Sequence, residues 1–480
     1  MNGRVYAHFI GVGGAGMSGL AKVLHDRGAA VTGSDMRLSR YASALIEMGV
    51  PVHIGHDAAN LGAPDVVVVS AAIPESNPEL AEARRRGLPV WQRARMLAEL
   101  AGDRLTVAVA GTHGKTSTSS MAASVLAAIG EDPTFLIGGE LNDVGSNARC
   151  GAGRHYVVEA DESDGSFLHL DPHIAVVTNV EADHLDHYGT LAAIIEAFRA
   201  FIGKVSPEGA AVLCADDPVL MALAPACPGR VVTYGRSLEA DVRCTDVGQS
   251  GRMQRFAASF PDGRTVEATV AVPGAHMALN ATGVLAAVWA LGLDVERAAA
   301  ALASFTGVKR RFETVGEVDG VSVVDDYAHH PTEVAATLLA AKGSGPRRVW
   351  VVFQPHRYSR TAALGGDFGG SFTEADRVVL MDVYSAGEAP IPGVSGKTVL
   401  DALLFRHPRT RAAYFPHRRE IASYVAERAR PGDLVMTMGA GDVTTMGPEI
   451  VRALREREVA RRRPDGLVDG SADPGGGRCP

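Results

Sequence analysis

Ala110-Gly111-Thr112-His113-Gly114-Lys115-Thr116-Ser117 is the stretch from which the rest of the chain is read. The apolar run Leu105 to Ala110 precedes it and reads as a buried strand, and Ser119 to Ile129 follows it as a helix. A strand, a glycine turn, Lys-Thr and a helix form a phosphate cradle. The glycines let backbone N–H groups turn toward an anion, and the helix N-terminus adds partial positive charge. Gly111, Thr112, His113, Gly114, Lys115, Thr116 and Ser117 are therefore expected to bind ATP. Lys115 would reach the β/γ-phosphates and the Thr116 hydroxyl would ligate Mg²⁺. A purely structural strand-to-helix turn explains the glycines but not the Lys-Thr pair.

At 480 residues the chain is too long for one core and predicts about two to four domains. A net charge of −8 argues against a general nucleic-acid binder. The five cysteines, Cys150, Cys214, Cys227, Cys244 and Cys479, show no paired spacing, which argues against a zinc site or a disulfide framework. The N-terminus shows no signal-peptide pattern, and no apolar run reaches about 18 residues, so a soluble cytoplasmic protein without membrane contact is expected.

Residues 5–100 alternate β-branched runs (Val5 to Ile10, Ala30 to Gly33, Val66 to Ser70) with helical stretches such as Met17 to Arg27, the pattern of a Rossmann-like parallel sheet. A second series starts at Leu105, with strands at Tyr156 to Ala160 and Ile174 to Asn179 and a helix at Leu191 to Ile202. Residues 240–272 read as an antiparallel insertion turning at Pro261-Asp262-Gly263. A third αβ unit has strands at Val321 to Asp325, Val349 to Phe353, Val378 to Asp382 and Leu434 to Met438. The expected architecture is thus α/β in three domains. A Rossmann-like N-terminal domain (1–102) precedes a central P-loop ATPase domain (103–307) and a Rossmann-like C-terminal domain (308–462), and a Gly- and Pro-rich tail (463–480) is predicted to be disordered.

Gly11-Val12-Gly13-Gly14-Ala15-Gly16 fits G-x-G-x-x-G, with Asp35 ending the next strand, a dinucleotide fingerprint that taken alone suggests an NAD-dependent oxidoreductase. A nucleotide-sugar diphosphate satisfies the same geometry. Two diphosphate cradles in succession suit an ATP-driven enzyme acting on a nucleotide-linked substrate. Downstream, Glu159-Ala160-Asp161-Glu162-Ser163-Asp164 and Asn179-Val180-Glu181-Ala182-Asp183-His184 each follow a strand and face the phosphate crevice as candidate Mg²⁺ ligands. A solvated acidic loop is the competing reading for any one of these groups.

Taken together, these motifs resemble the Mur ligases from about Val5 to Gly447. The carriers are GVGGAGMSG from Gly11, SAAIPESNPEL from Ser70, GTHGKTS from Gly111, EADESDGSFL from Glu159, NVEADHLDHYG from Asn179, RRFE from Arg310, DDYAHHPTE from Asp325, FQPHRYSRT from Phe353 and MGAGDV from Met438. DDYAHHPTE and FQPHRYSRT favour the alanine-adding branch. The resemblance implies that ATP phosphorylates the lactyl carboxyl of UDP-N-acetylmuramate and that L-alanine attacks the acyl phosphate. A branch that adds a tripeptide to the same nucleotide sugar is the nearest alternative. By the same resemblance Lys115 binds phosphate, Thr116, Glu159 and His184 hold Mg²⁺, Asn280 reads adenine, Arg311 meets the γ-phosphate and Asp326 the ribose. His329, Arg357 and Arg360 form the amino-acid end, with Lys115, His184, Arg311 and His329 as the catalytic set. Gly13, Gly14, Ala15, Gly16, Met17 and Ser18, with Asp35 and Ser70, cradle the UDP sugar.

Two departures stand out. Met277 replaces an asparagine common after the Pro-Gly-Ala-His motif, and Arg199 lies near the place where several relatives carry a carbamylated lysine, so no carbamate is assigned. The chain is expected to be a monomer or homodimer, with a hinge near Thr306 to Arg310.

Overall fold

The computed structural model describes residues 5–462, so the predicted tail lies outside the described residues. The chain divides into two compact units, Met1–Glu313 with Leu339–Gly345, and Thr314–Leu338 with Pro346–Pro480.

The first unit carries two sheets. In the N-terminal sheet five parallel strands run in the order Val52–Ile54, Ala30–Asp35, Tyr6–Ile10, Val66–Val69, Val90–Gln92. The order reverses on either side of Tyr6–Ile10. The crevice beyond the strand ends therefore opens where Gly11 to Gly16 emerges. The following helix begins at Ala15 rather than Met17, with Ser18 N–H bonded to Gly14 O at 2.9 Å. Glycine is a poor helix former, which hid that first turn from the sequence.

Beneath this sheet lies a buried polar network. Asn77 caps the helix Pro78–Arg85, its side chain accepting from Glu79 N and Leu80 N, and Pro78 supplies a preset first turn. That cap fixes Glu79, which is fully buried. Its carboxylate meets His8 Nε2 at 3.4 Å and accepts from Asn60 Nδ2 at 2.8 Å, Asp57 N at 3.2 Å and the Ser34 hydroxyl. Ser34 in turn gives its carbonyl to Gly11 N and Val12 N, so the network reaches the glycine loop.

The central sheet has ten strands. Its parallel middle, Arg230–Gly235, Ala210–Cys214, Ile174–Val177, Leu105–Ala110, His155–Glu159, extends into the antiparallel strands Val242–Ser250, Met253–Ser259 and Thr265–Val270. At the other edge stands the hairpin Thr134–Leu141 and Ser146–Arg149. The helix Lys115–Ala128 is buried nearly all round, and Phe167, Phe198 and Phe201 form a separate buried aromatic cluster. The N-terminal helix Ala15–Asp26 packs on the hairpin through Gly19, where a Cβ would come within 3.2 Å of both Ala148 and Leu136 side chains.

The second unit holds a six-stranded sheet in the order Glu313–Val318, Val321–Asp326, Asp433–Met438, Arg348–Phe353, Arg377–Met381, Ala412–Phe415. Its core gathers Trp350, Val352, Val379, Val435 and Ile450. Among the described residues no helix is long and apolar enough to cross a membrane.

Glu79 yields a pH prediction. Burial pushes its carboxyl up, but hydrogen bonds from His8, Ser34 and Asn60 outweigh that and hold it at about 2, against 4.5 unperturbed. A depressed carboxyl stabilises fully above its unfolded pKa and loses that contribution as the pH falls toward the folded one. Glu79→Gln should cost about 3 kcal/mol of unfolding free energy at pH 7 and far less at pH 3, read by urea titration of the first unit. An equal cost at both values would reject the assignment.

Candidate functional site

The phosphate loop forms where the parallel strand Leu105–Ala110 ends. Gly111 has φ 131°, and a Cβ there would lie 2.0 Å from Thr178 Oγ1, so only glycine fits. Neighbouring strand ends hold the loop from below. Thr112 N bonds to Asn179 O at 3.0 Å, His113 N to Asn179 Oδ1 at 2.8 Å, and Thr178 Oγ1 donates to His113 O at 2.5 Å. Glu181 N–H donates to Thr112 Oγ1 at 2.8 Å. The Asn280 carboxamide faces Gly114 from the helix Ala275–Ala290. Met277, on the same helix, is buried as a core residue.

Lys115 opens the buried helix. Its Nζ donates to Gly111 O at 2.7 Å, Thr112 O at 3.1 Å and Glu162 Oε1 at 2.7 Å. Burial works against its charge, but Glu162, Asp161 and Glu159 raise its pKa above the ordinary lysine value. One cation does not neutralise three carboxylates, however. Burial pushes Glu162 up to about 7, Lys115 pulls it down, and Asp161 raises it again. Glu162 Oε2 is buried without a hydrogen-bond partner among the described residues.

Glu159 ends its strand beside Thr116. Its Oε1 accepts from Thr116 Oγ1 at 3.1 Å, and its Oε2 accepts from Gly138 N at 2.8 Å and Ser119 Oγ at 3.4 Å. His184 has φ 52°, and its Nε2 lies 3.7 Å from both Glu162 Oε1 and Asp183 Oδ2. Thr116, Glu159, Glu162 and His184 thus gather beside Lys115. A hydroxyl, a histidine and two carboxylates, one with an orphaned oxygen, form a donor set that suits Mg²⁺. Arg199 is exposed and pairs with Glu196, and Lys204 Nζ donates to Leu168 O, so both have other partners.

At the switch point of the N-terminal sheet, Gly13 and Gly14 lead into the first turn of the helix, which carries Ala15 to Ser18. Asp35 ends its strand and is engaged with the backbone. Its Oδ2 accepts from Gly13 N at 2.9 Å and its Oδ1 from Arg37 N at 3.1 Å. Ser70 sits at the end of Val66–Val69, packed against Gly11. Arg311 lies half-buried in the first unit, just past the segment that follows the central domain.

Asp326, His329, Arg357 and Arg360 belong to the second unit. Asp326 is buried and accepts from Ala328 N at 2.8 Å. His329 Nδ1 is 3.0 Å from Tyr327 O, and its ring meets His356 edge-on at 5.9 Å. His356 stacks on Tyr384, whose carbonyl accepts from Arg357 N at 2.8 Å. Arg357 has φ 68° and leads into the helix Tyr358–Leu364, which carries Arg360. All four residues lie at or beyond the carboxyl ends of parallel strands, where open α/β sheets bind ligands.

Sequence reading missed the supports. Asn179 and His356 were visible in motifs but carried no role, and Thr178, Ser119, Gly138 and Tyr384 gave no signal. Glu162 was visible as one acid among several.

Models of three domains match the chain: the "Mur ligase family, catalytic domain" over 6–104, the "Mur ligase middle domain" over 109–288 and the "Mur ligase, glutamate ligase domain" over 310–441. A relative from Desulforamulus reducens named UDP-N-acetylmuramate–L-alanine ligase is 48% identical, covering 94% of this chain and 98% of its own. The crystal structure of a UDP-N-acetylmuramate-alanine ligase from Thermotoga maritima matches at 29% identity and TM-score 0.77, covering 95% of this chain and 100% of its own. A murein peptide ligase from Psychrobacter arcticus matches at 27% identity and TM-score 0.68, covering 94% of this chain and 98% of its own. The chain belongs to the Mur ligase family.

The loop geometry makes Gly111→Ala a sharp test. The variant should stay folded by circular dichroism yet lose at least about tenfold in affinity for a non-hydrolysable ATP analogue, because both the dihedral and the Thr178 contact resist a Cβ. Unchanged affinity by calorimetry would remove the loop from the phosphate site.

Proposed function

We propose that this Mur ligase joins L-alanine to the lactyl carboxylate of UDP-N-acetylmuramate, with ATP converted to ADP and phosphate, as a cytoplasmic step of peptidoglycan synthesis. The observation that carries the reading is the Lys115 loop with its adjoining acids, together with relatives of matched length that bear the alanine-ligase name. An NAD-dependent oxidoreductase leaves Lys115 and Thr116 without a purpose, and Asp35 already serves Gly13.

The chemistry follows from charge. A phosphoryl group passes between two anions, so cations must screen them. Lys115 supplies one beside the loop, and its present partners, two carbonyls and Glu162, give way to phosphate oxygens. Thr116, Glu159 and His184 would hold Mg²⁺, which neutralises phosphate charge when bound. Gly13 to Ser18 offer a helix N-terminus to the diphosphate of the nucleotide sugar. In the second unit, Arg357 or Arg360 grips the alanine carboxylate with a planar fork. With the His329 Nδ1 proton on Tyr327 O, Nε2 is the ring's basic nitrogen and accepts the amine proton during attack. The acyl-phosphate bond breaks as the amide forms, and phosphate leaves.

The murein peptide ligase likeness supports one second reading, a tripeptide in place of alanine. Phosphate release from ATP and UDP-N-acetylmuramate, with free L-alanine or tripeptide added separately, decides between them. Turnover with tripeptide alone would overturn the alanine assignment. Lys115→Ala should lower turnover by about 10²–10³ without unfolding the chain. Glu159→Gln should raise the Mg²⁺ concentration for half-maximal rate, and an unchanged Mg²⁺ profile would return Glu159 to a loop-bracing role alone.

A further inference from the structure

Glu140 sits in the strand Thr134–Leu141 with 7% of its surface exposed, and no motif marks it. Pairing with the neighbouring strand Ser146–Arg149 shifts register between Leu136 and Leu141, an irregularity of the kind that re-aims side chains. Here it places Glu140 between two cations from distant segments. Arg40 reaches Oε1 at 2.6 Å and Lys309 reaches Oε2 at 2.7 Å. Burial pushes the carboxyl up, but Lys309, Tyr41 and Arg40 overrule it and keep Glu140 ionised.

Each cation leads somewhere. Arg40 opens the helix Arg40–Glu47, and the residue before it, Ser39, caps that helix and donates its hydroxyl to Gly13 O at 2.7 Å. Gly13 is the core of the diphosphate loop. Lys309 belongs to the segment by which the chain leaves the first unit. That segment is zipped along the same strand. Lys309 N bonds to Glu140 O at 3.0 Å, Val308 bridges Leu141 antiparallel, and Asn142 holds Gly307 O and Thr306 O. Immediately afterwards Arg310 and Phe312 take φ of 62° and 52°, and the second unit starts at Thr314. The same strand also touches the acid cluster through Gly138 N and Glu159 Oε2.

We propose that Glu140 is a positioning residue that couples occupancy of the nucleotide-sugar loop to the placement of the Thr306–Lys309 segment, and so to the point from which the second unit swings. The hinge expected over Thr306 to Arg310 then narrows to Arg310–Glu313, since Thr306 to Lys309 are fixed to the strand. The buried carboxylate is met by two largely exposed cations, so the pairs add little net stability, and their effect is to tie together elements that could otherwise slide. This role rests on the ligase reading above.

Double-mutant cycles on the full chain test it. Glu140→Gln should raise KM for UDP-N-acetylmuramate about tenfold and lower kcat, with KM for ATP unchanged. Arg40→Met should reproduce the rise in KM, and Lys309→Met the fall in kcat. Adding either change to Glu140→Gln should alter the parameters by less than about twofold, since the link is already cut. Multiplying effects, or a variant that only melts at lower temperature with KM and kcat intact, would overturn the coupling. Hydrogen exchange of the unliganded protein separates this from the functional assignment. Glu140→Gln should speed exchange in both 39–44 and 306–309. If Glu140→Gln shows this faster exchange while the wild-type chain makes no product, the coupling stands and the ligase reading falls. Unchanged exchange in either segment would sink the coupling.

Discussion

One ammonium group faces three carboxylates at the head of the central sheet, and much of the molecule is arranged around that imbalance. Lys115 is drawn toward Glu162, Asp161 and Glu159 and is braced by two loop carbonyls. Burial, with Asp161 nearby, outweighs the pull of Lys115 and pushes Glu162 up to about 7, and one of its oxygens lacks a partner among the described residues. Such a site is poised for added positive charge and for a phosphate chain that engages the lysine. The strand ends that carry these groups are parallel and adjacent, so the sheet fixes their spacing before any ligand arrives.

The two glycine loops look alike in sequence and differ in physics. The loop at Gly111 is set by its surroundings: Thr178 fills the space a side chain would need, and Asn179 holds His113. The loop at Gly13 is set from its own sheet, by Asp35 on the backbone N–H and Ser39 on the carbonyl. The acid that completes a dinucleotide fingerprint therefore works here as a brace for the turn. The residue pattern pointed to a diphosphate on a helix N-terminus; what it did not reveal is that the Asp35 carboxylate braces the turn through Gly13 N.

What the sequence made legible follows the same logic. Strands such as Leu105–Ala110 and Val66–Val69 were readable because parallel, doubly covered strands are continuous apolar runs. The insertion of Val242–Val270 was readable from alternation and its Asp-Gly turn. The hairpin of Thr134–Leu141 and Ser146–Arg149 was not, since a glycine pair and a register shift interrupt its pattern. Within the candidate site, Lys115, Thr116, Glu159 and His184 were legible and do converge. Thr178, Ser119 and Glu140 were not, because their partners lie far along the chain and nothing in the local composition distinguishes them.

The segment Thr306–Lys309 also behaves as a short added strand, and that has a consequence for solubility. While in place, it covers the carbonyl of Glu140 and the N–H of Asn142 on an otherwise open edge. A polypeptide ending before Thr306 would present those groups bare, beside Leu141 and the two glycines of the same strand. Exposed strand edges recruit other strands. Self-association of a fragment cut before Thr306 is thus governed less by its large apolar core than by the loss of four residues, Thr306 to Lys309.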